Sequence, residues 1–273
     1  MSRIASLHIY PVKSCRGIDL ATARVTPTGL EWDRRWMLVD RKGTFVTQRT
    51  HPLLTTITTA IVDDRLELSA VGHPTILVDP RASGTARSVK VWSDHCSGID
   101  AGEEVAAWLG RVLGDVFRLL QVDEQVTRLA DPRYAGEDLH PVTFTDGFPV
   151  LLTSLESLAD LNHRLPAPIP MNRFRPNVVI EGVDAYAEDA MAAFRSGQVL
   201  LRGVKHCTRC INTTTDQFNG ARDESQEPLK TLRSYRYDKV LRGVAFGQNC
   251  VVAEGVGAML SVGAPLTLDA HQV

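Results

Sequence analysis

The stretch ASLHIYPVKSCRG, residues 5–17, sets the reading of the fold. Ala5, Leu7 and Ile9 alternate with Ser6, His8 and Tyr10, the period of two that marks a strand with one buried face. Pro11 ends the alternation, and the turn beyond it carries Lys13 and Ser14, an ammonium and a hydroxyl that could hold a phosphate. The same punctuation recurs along the chain. Arg35 to Val39, the turn-like RKGT and Phe45 to Gln48 predict a hairpin, and Thr55 to Val62, DDR and Leu66 to Ser69 predict another. Short β runs return at Val178 to Glu181, Gln198 to Val204, Cys250 to Glu254 and Pro265 to Leu268. Such spacing suits a barrel or coiled sheet and not a doubly wound α/β domain, so the expected class is mainly β with peripheral helices (α+β).

Two helices interrupt this pattern. Val105, Trp108, Leu109, Val112 and Leu113 recur at helical spacing and predict an amphipathic helix packed on an apolar surface. A second begins near Thr153, where Thr153 and Glu156 have capping-box spacing and Leu155, Leu158 and Ala159 form the expected inner face; PAPIP after Leu165 stops it. Arg81 to Ser88 and Leu129 to Leu139 are polar enough to be surface loops. The second of these is the expected boundary between two units, 1–125 and 126–273.

The chain has 273 residues, a formal charge of −2 and lysines and arginines nearly balanced by acids, which argues against a general nucleic-acid or anionic-membrane binder. No signal h-region opens the sequence and no apolar run reaches the length of a membrane span, so a cytoplasmic protein is expected. Five cysteines at irregular spacing do not make a secreted disulfide framework.

KHCTRCINTTTD, residues 205–216, places Cys207 and Cys210 around an arginine. A structural zinc site would need a second ligand pair, and His206 has no partner at the right spacing. A redox dithiol would open a helix, whereas β-branched INTTT predicts extended chain. Simple core filling by either thiol stays open on spacing alone. Three further stretches add donors: YPVKSCRG with Lys13 and Ser14, WDRRW with Arg34 at the start of a strand, and NRFRPN with Arg175. Each arginine read alone could be a surface charge; together they suit an anionic ligand rich in hydrogen-bond acceptors.

The order IYPVKSCRG, DRRWMLVD, FTDGFPVLLTSLESLADLN, NRFRPNVVI, CTRCINTTTD, EPLKTLRSYR and FGQNCVV resembles, over nearly the whole chain, the MOSC proteins with a β-rich MOSC N-terminal domain. That branch includes the mitochondrial amidoxime-reducing components and bacterial relatives that reduce N-hydroxylated bases. The resemblance implies a MOSC N-terminal domain in 1–125 and a MOSC β-barrel domain in 126–273. It implies a molybdenum-molybdopterin cofactor whose metal is bound by one cysteine, Cys210 here. A soft thiolate suits that metal. Lys13, Ser14 and Arg34 match cofactor-contact positions and suit its terminal phosphate. Gly147 and Phe148 match a loop that approaches the pterin through its backbone, and Arg175, Thr208, Arg209 and Asn249 match further contacts. Asn212 departs from the hydrophobic residue usual there, and the role of Cys207 is left open.

The activity so implied is oxygen-atom removal from an N-hydroxylated small molecule, with electrons from a separate flavoprotein, ferredoxin or cytochrome-b5-like partner, since no electron-entry module follows the last predicted strand. Pyridoxal phosphate is not expected. Asp216 is a candidate proton relay beside its plainer reading as a residue that opens a turn. A sulfur-transfer or molybdopterin-carrier protein using Cys210 as persulfide or anchor is the alternative of a different class, and a cofactor-free β scaffold is a third.

Overall fold

In the computed structural model, residues 1–81, 84–92 and 94–270 are described. Strand makes up 42% of the chain and helix 18%, so the class expected from the sequence holds. The largest sheet runs, in spatial order, through Ile18–Leu20, Arg3–Ile9, Val178–Glu181, Val150–Ser154, Gly243–Glu254, Val199–Thr208, Met191–Ser196 and Thr267–Ala270. Its two ends approach each other. Arg3 bridges Pro265, the Ile4 N–H donates to the Ala264 carbonyl at 3.0 Å, and the Leu266 N–H donates to the Ser2 carbonyl at 2.9 Å. The sheet therefore curls back on itself around Leu7, Ile9, Leu152, Ile180 and Phe194, all buried.

The amino-terminal strand lies second in this order, antiparallel to both Ile18–Leu20 and Val178–Glu181. Val25 and Leu30 join the same core from Thr22–Thr26 and Gly29–Leu30. Arg3–Ile9, Thr22–Thr26 and Gly29–Leu30 are thus structural parts of the second half, while the turn after Pro11 sends Val12 and Cys15 into the core of a separate layer that the following chain builds. That layer holds a four-stranded sheet ordered Trp36–Val39, Arg118–Val122, Asp94–Asp100, Ala86–Val91, and a meander of Thr58–Val62, Arg65–Ala70 and His73–Val78. The helix Glu103–Leu113 packs on it through Val105, Trp108 and Leu109, and the Trp108 indole donates to the Pro74 carbonyl at 2.5 Å. Gly114, at φ 77°, closes that helix in the left-handed region, where glycine carries no Cβ penalty.

Several expectations need correction. The first hairpin closes on a short return arm: Phe45 bridges Val39, and the Val46 and Asp40 N–H groups donate to the Leu38 and Thr44 carbonyls, each at 2.9 Å, but no strand forms over residues 45–48. The second begins at Thr58, because Pro52–Thr56 is a 3-10 turn. The helix Leu155–Arg164 is capped by Ser154 and not Thr153: the Ser154 hydroxyl accepts from the Ser157 N–H at 3.1 Å. Glu156 reaches instead to the Gly182 N–H at 2.7 Å. The helix turns Ser157 and Leu161 inward and leaves Leu155 and Ala159 exposed, since buried Glu188 accepts hydrogen bonds from both Ser154 and Ser157 and draws that polar edge into the protein. Within Arg81 to Ser88, residues 82 and 83 lie outside the described residues, and Ala86–Ser88 begins a strand. Leu129 to Leu139 is not plain surface loop: Ala130 and Ala135 are buried, and a short helix, Pro132–Ala135, stands on the great sheet. No helix among the described residues is long and apolar enough to cross a membrane.

Candidate functional site

A cavity of about 650 Å³ opens between the two layers. Part of its floor is one row of residues across four neighbouring segments. Asn177 and Leu151 exchange hydrogen bonds, Leu151 sits in register with Asn249, and Asn249 sits in register with Lys205. All four line the cavity. Its walls also bring together every residue that the family resemblance marked as a cofactor or metal contact: Lys13, Ser14 and Arg34 from the amino-terminal layer, Gly147 and Phe148 from one loop, and Arg175, Thr208, Arg209, Cys210 and Asn249 from the second half. Nine lysines and arginines line it against three aspartates, although the chain as a whole is slightly acidic.

The Lys13 end is tightly built. Lys13 is buried, and its ammonium donates to the Phe144 carbonyl at 2.8 Å and to Asp146 at 2.5 Å, which leaves one of three protons for a ligand. Burial pushes Lys13 below the ordinary lysine range, opposed by Asp146. The surrounding protein resists ionisation of Asp146, yet the Lys13 charge and the hydrogen bonds from Lys13 and Trp92 hold that carboxyl well below the usual range. Ser14 sits at φ 71° and Arg34 at φ 48°, left-handed backbone that non-glycine residues adopt at a cost and that recurs at binding sites.

Arg34 donates to Asp33 at 2.6 Å, to Asn177 at 3.1 Å and to the Arg175 carbonyl at 3.3 Å, leaving two of its five donors. Arg175, also left-handed at φ 55°, donates to the Cys15 carbonyl at 2.7 Å and to Gln217 at 3.1 Å. Both guanidinium groups lie over the buried Tyr10 ring, at 4.4 Å and 4.1 Å from its centroid. Burial lowers Arg175 to about 10, so it stays charged at neutral pH, and burial pushes the Tyr10 phenol up to about 12.

Cys210 ends the approach from strand Val199–Thr208 and stands at the head of the turn Ile211–Thr214. INTTT is therefore a 3-10 turn and not extended chain. The Thr213 hydroxyl donates to the Cys210 carbonyl at 3.0 Å and that of Thr214 to the Ile211 carbonyl at 2.8 Å. These back-bonds let threonine accept helical dihedrals despite its branched Cβ. The Cys210 thiol is half-buried and has no hydrogen-bond partner among the described residues. Cys207 differs, since Arg209 donates to its sulfur at 2.8 Å and to the Phe174 carbonyl at 2.6 Å. Phe174 in turn stacks on Phe246 at 3.9 Å, which anchors both the Arg175 loop and the cysteine turn to the core.

Asp216 does not line the cavity. It accepts from the Phe218 and Asn219 N–H groups at 2.8 Å and 3.1 Å and pairs with Arg173 at 3.3 Å, the turn-opening role. The walls hold further residues not singled out as site candidates: Arg49 stacked 4.3 Å over Trp92, Arg128 paired with Asp94 at 2.8 Å, Asp146, Arg173 and Lys205. Among the described residues no three His, Cys, Asp or Glu side chains cluster as a metal site, which sets aside a zinc reading of the cysteine pair on these ligands.

This architecture is that of a β-rich protein with a cationic cleft floored by a curled sheet. The chain belongs to the MOSC family. It matches the MOSC N-terminal beta barrel domain over residues 1–116 and the MOSC domain over residues 140–267. It is 36% identical over 282 residues to mitochondrial amidoxime-reducing component 1 of Homo sapiens, covering 97% of this chain and 82% of that one. The mouse protein of the same name is 36% identical over 244 residues, covering 85% and 71%. Molybdenum cofactor sulfurase of Drosophila grimshawi is 31% identical over 251 residues, covering 89% of this chain and 31% of that one.

Proposed function

We propose that this chain is a molybdenum-cofactor oxidoreductase that removes oxygen from N-hydroxylated compounds, with Cys210 as the protein ligand to the metal. The observation that carries the reading is a partner-free, half-buried thiol on the wall of a cleft whose buried donors are unsatisfied. Arg175 Nη2, Arg173 Nε and Arg209 Nε are buried without partners, and each orphaned donor costs about 1–3 kcal/mol unless a ligand accepts from it. A Cβ at Gly147 would meet no protein atom within 4 Å, so the space beside that backbone belongs to the cleft. These features fit a group with an anionic tail, a planar polar body and an affinity for soft sulfur.

Lys13, Ser14 and Arg34 would hold the terminal phosphate with their remaining donors. Gly147 and Phe148 would flank the pterin, and Arg175, Thr208, Arg209 and Asn249 would meet its polar atoms and the metal end. When bound, the cofactor supplies the two-electron oxygen-removal chemistry, and the protein supplies position and field. Arg175 keeps positive charge facing the anion, while the left-handed backbone at Ser14 and Arg175 fixes the angle from which the two turns present their donors. Electrons would come from a separate flavoprotein, ferredoxin or cytochrome-b5-like protein.

The test is metal analysis with an N-reduction assay on protein from a host that makes molybdopterin. We expect about one molybdenum per chain, loss of the metal in Cys210→Ser, and reduction of benzamidoxime with a chemical electron donor. Similarity to a sulfurase supports a second reading, sulfur transfer or cofactor carriage. Full metal loading without N–O reduction by any donor would favour carriage, and a cyanide-labile sulfur on Cys210 would favour transfer.

A further inference from the structure

The floor row has two cationic ends. At one, Arg34 bonds Asn177 and Lys13 and Arg175 stand nearby. At the other is Lys205, three strand gaps away, or about 14 Å at the usual strand spacing. A phosphate held at the first end leaves the second unused. Lys205 is half-buried, and among the described residues no carboxylate lies within ion-pair distance of it, although its charge reaches Asp131 on the same wall. Its ammonium lies 4.0 Å from the centroid of the Tyr134 ring and 6.0 Å from that of Phe148, and those two rings meet edge to face at 6.4 Å. Tyr134 is presented by the short helix Pro132–Ala135, whose position is fixed by the Asp131 side chain on the Arg133 N–H and by Arg202 donating to the Ala135 carbonyl.

A cation over an aromatic face is stabilised there but keeps its outward protons, which an incoming anion can accept. The Tyr134 ring that carries the ammonium also gives an aryl group an apolar edge to pack against. We propose that Lys205 and Tyr134 form a substrate subsite that selects aryl N-hydroxy compounds carrying a carboxylate on the ring, away from the reducible N–O group. This rests on the reductase reading above and names the substrate class that the same cleft favours.

The experiment compares three probes on the holoprotein with a chemical electron donor: benzamidoxime, 4-carboxybenzamidoxime and 4-(aminomethyl)benzamidoxime. A charge-assisted hydrogen bond predicts a KM about tenfold lower for the carboxylate than for the neutral probe, with kcat similar. Lys205→Met should abolish that ratio and Tyr134→Ala should raise KM for all three aryl probes. Calorimetry with 4-carboxybenzamidine, which has no N–O bond to reduce, reads the subsite without turnover, and its affinity should fall about tenfold in Lys205→Met. Equal affinities of the wild type for 4-carboxybenzamidine and benzamidine would overturn the proposal. So would loss of molybdenum from Lys205→Met, which would assign the subsite to the cofactor. Reduction of no probe, with the calorimetric preference intact, would remove the reductase reading and leave the subsite.

Discussion

Gln48 and Gln217, 169 residues apart, face each other with two amide hydrogen bonds, 3.0 Å from Gln48 to Gln217 and 3.1 Å in return. Both are buried, and neither lines the cleft. Gln48 also donates to the Ser14 carbonyl at 2.8 Å, while Gln217 accepts from Arg175 and donates to the Thr215 carbonyl at 2.9 Å. The pair ties the Lys13–Ser14 turn, the Arg175 loop and the chain just past Cys210 into one polar unit. Each glutamine removed leaves the other's amide buried without its partner, so Gln48→Ala and Gln217→Ala should each cost about 2 kcal/mol in urea unfolding. The double variant should lose less than the two together, by about 1 kcal/mol, because the second removal takes away a group already orphaned. Strict additivity would show that the pair is not one unit.

Arg34 and Asp33 make a different kind of demand. Asp33 is buried, and burial pushes its carboxyl above the usual range while Arg34 and the Tyr10 N–H, 2.8 Å away, favour its charge. Arg34→Ala strands that carboxylate and should destabilise the protein by about 3 kcal/mol, as breaking one side of a buried pair generally does. Asp33→Asn in the same background should recover part of the loss, measured as a rise in melting temperature over Arg34→Ala alone. Arg34→Lys should not substitute, because one ammonium cannot reach Asp33, Asn177 and the Arg175 carbonyl in the planar geometry of a guanidinium.

What the sequence made legible divides along the range of the signal. A period-two run gave Arg3–Ile9 and a short β-branched run gave Val178–Glu181 because both signals are local, and the ordered motifs gathered residues that do meet in one cleft. The capping residue of Leu155–Arg164 was off by one because Glu188, which bonds Ser154 and Ser157, arrives from 31 residues beyond Ser157. INTTT read as extended because β propensity ignores the threonine back-bonds that close the turn. Arg128 and Trp92 left no trace in any motif, and Lys205, though it opens the KHCTRC stretch, carried no local signal that sheet pairing would turn it to the cleft. The burial of Ala130 and Ala135 was the one available hint that Leu129 to Leu139 is a wall: two small apolar residues in a polar run.

The two cysteines of the CxRC run should separate cleanly. Cys207 is tied to Arg209 through its sulfur, while Cys210 offers a sulfur with no protein partner. On the proposed reading Cys207→Ser keeps about one molybdenum per chain and Cys210→Ser keeps none, by elemental analysis of folded protein. Equal loss from both variants would mean that the pair binds the metal together.

His140 gives the fold a pH dependence that does not involve the cysteine proposed as metal ligand. It is buried beside Arg202, whose Nη2 lies 3.1 Å from its Nε2, so the ring nitrogen acts as acceptor and must be unprotonated. Burial, then the Arg202 charge, pushes its pKa below the ordinary histidine value. The unfolded chain therefore takes up a proton near pH 6.5 that the folded protein refuses. Stability from this group is complete above that value and declines as pH falls from about 6.5 towards the depressed folded pKa, because the unfolded state then binds more protons. Urea unfolding between pH 7.5 and 5.5 should show the wild type losing stability, and His140→Gln, which can still accept from Arg202 but does not titrate, should flatten that slope. An unchanged slope in His140→Gln would assign the pH dependence to other groups.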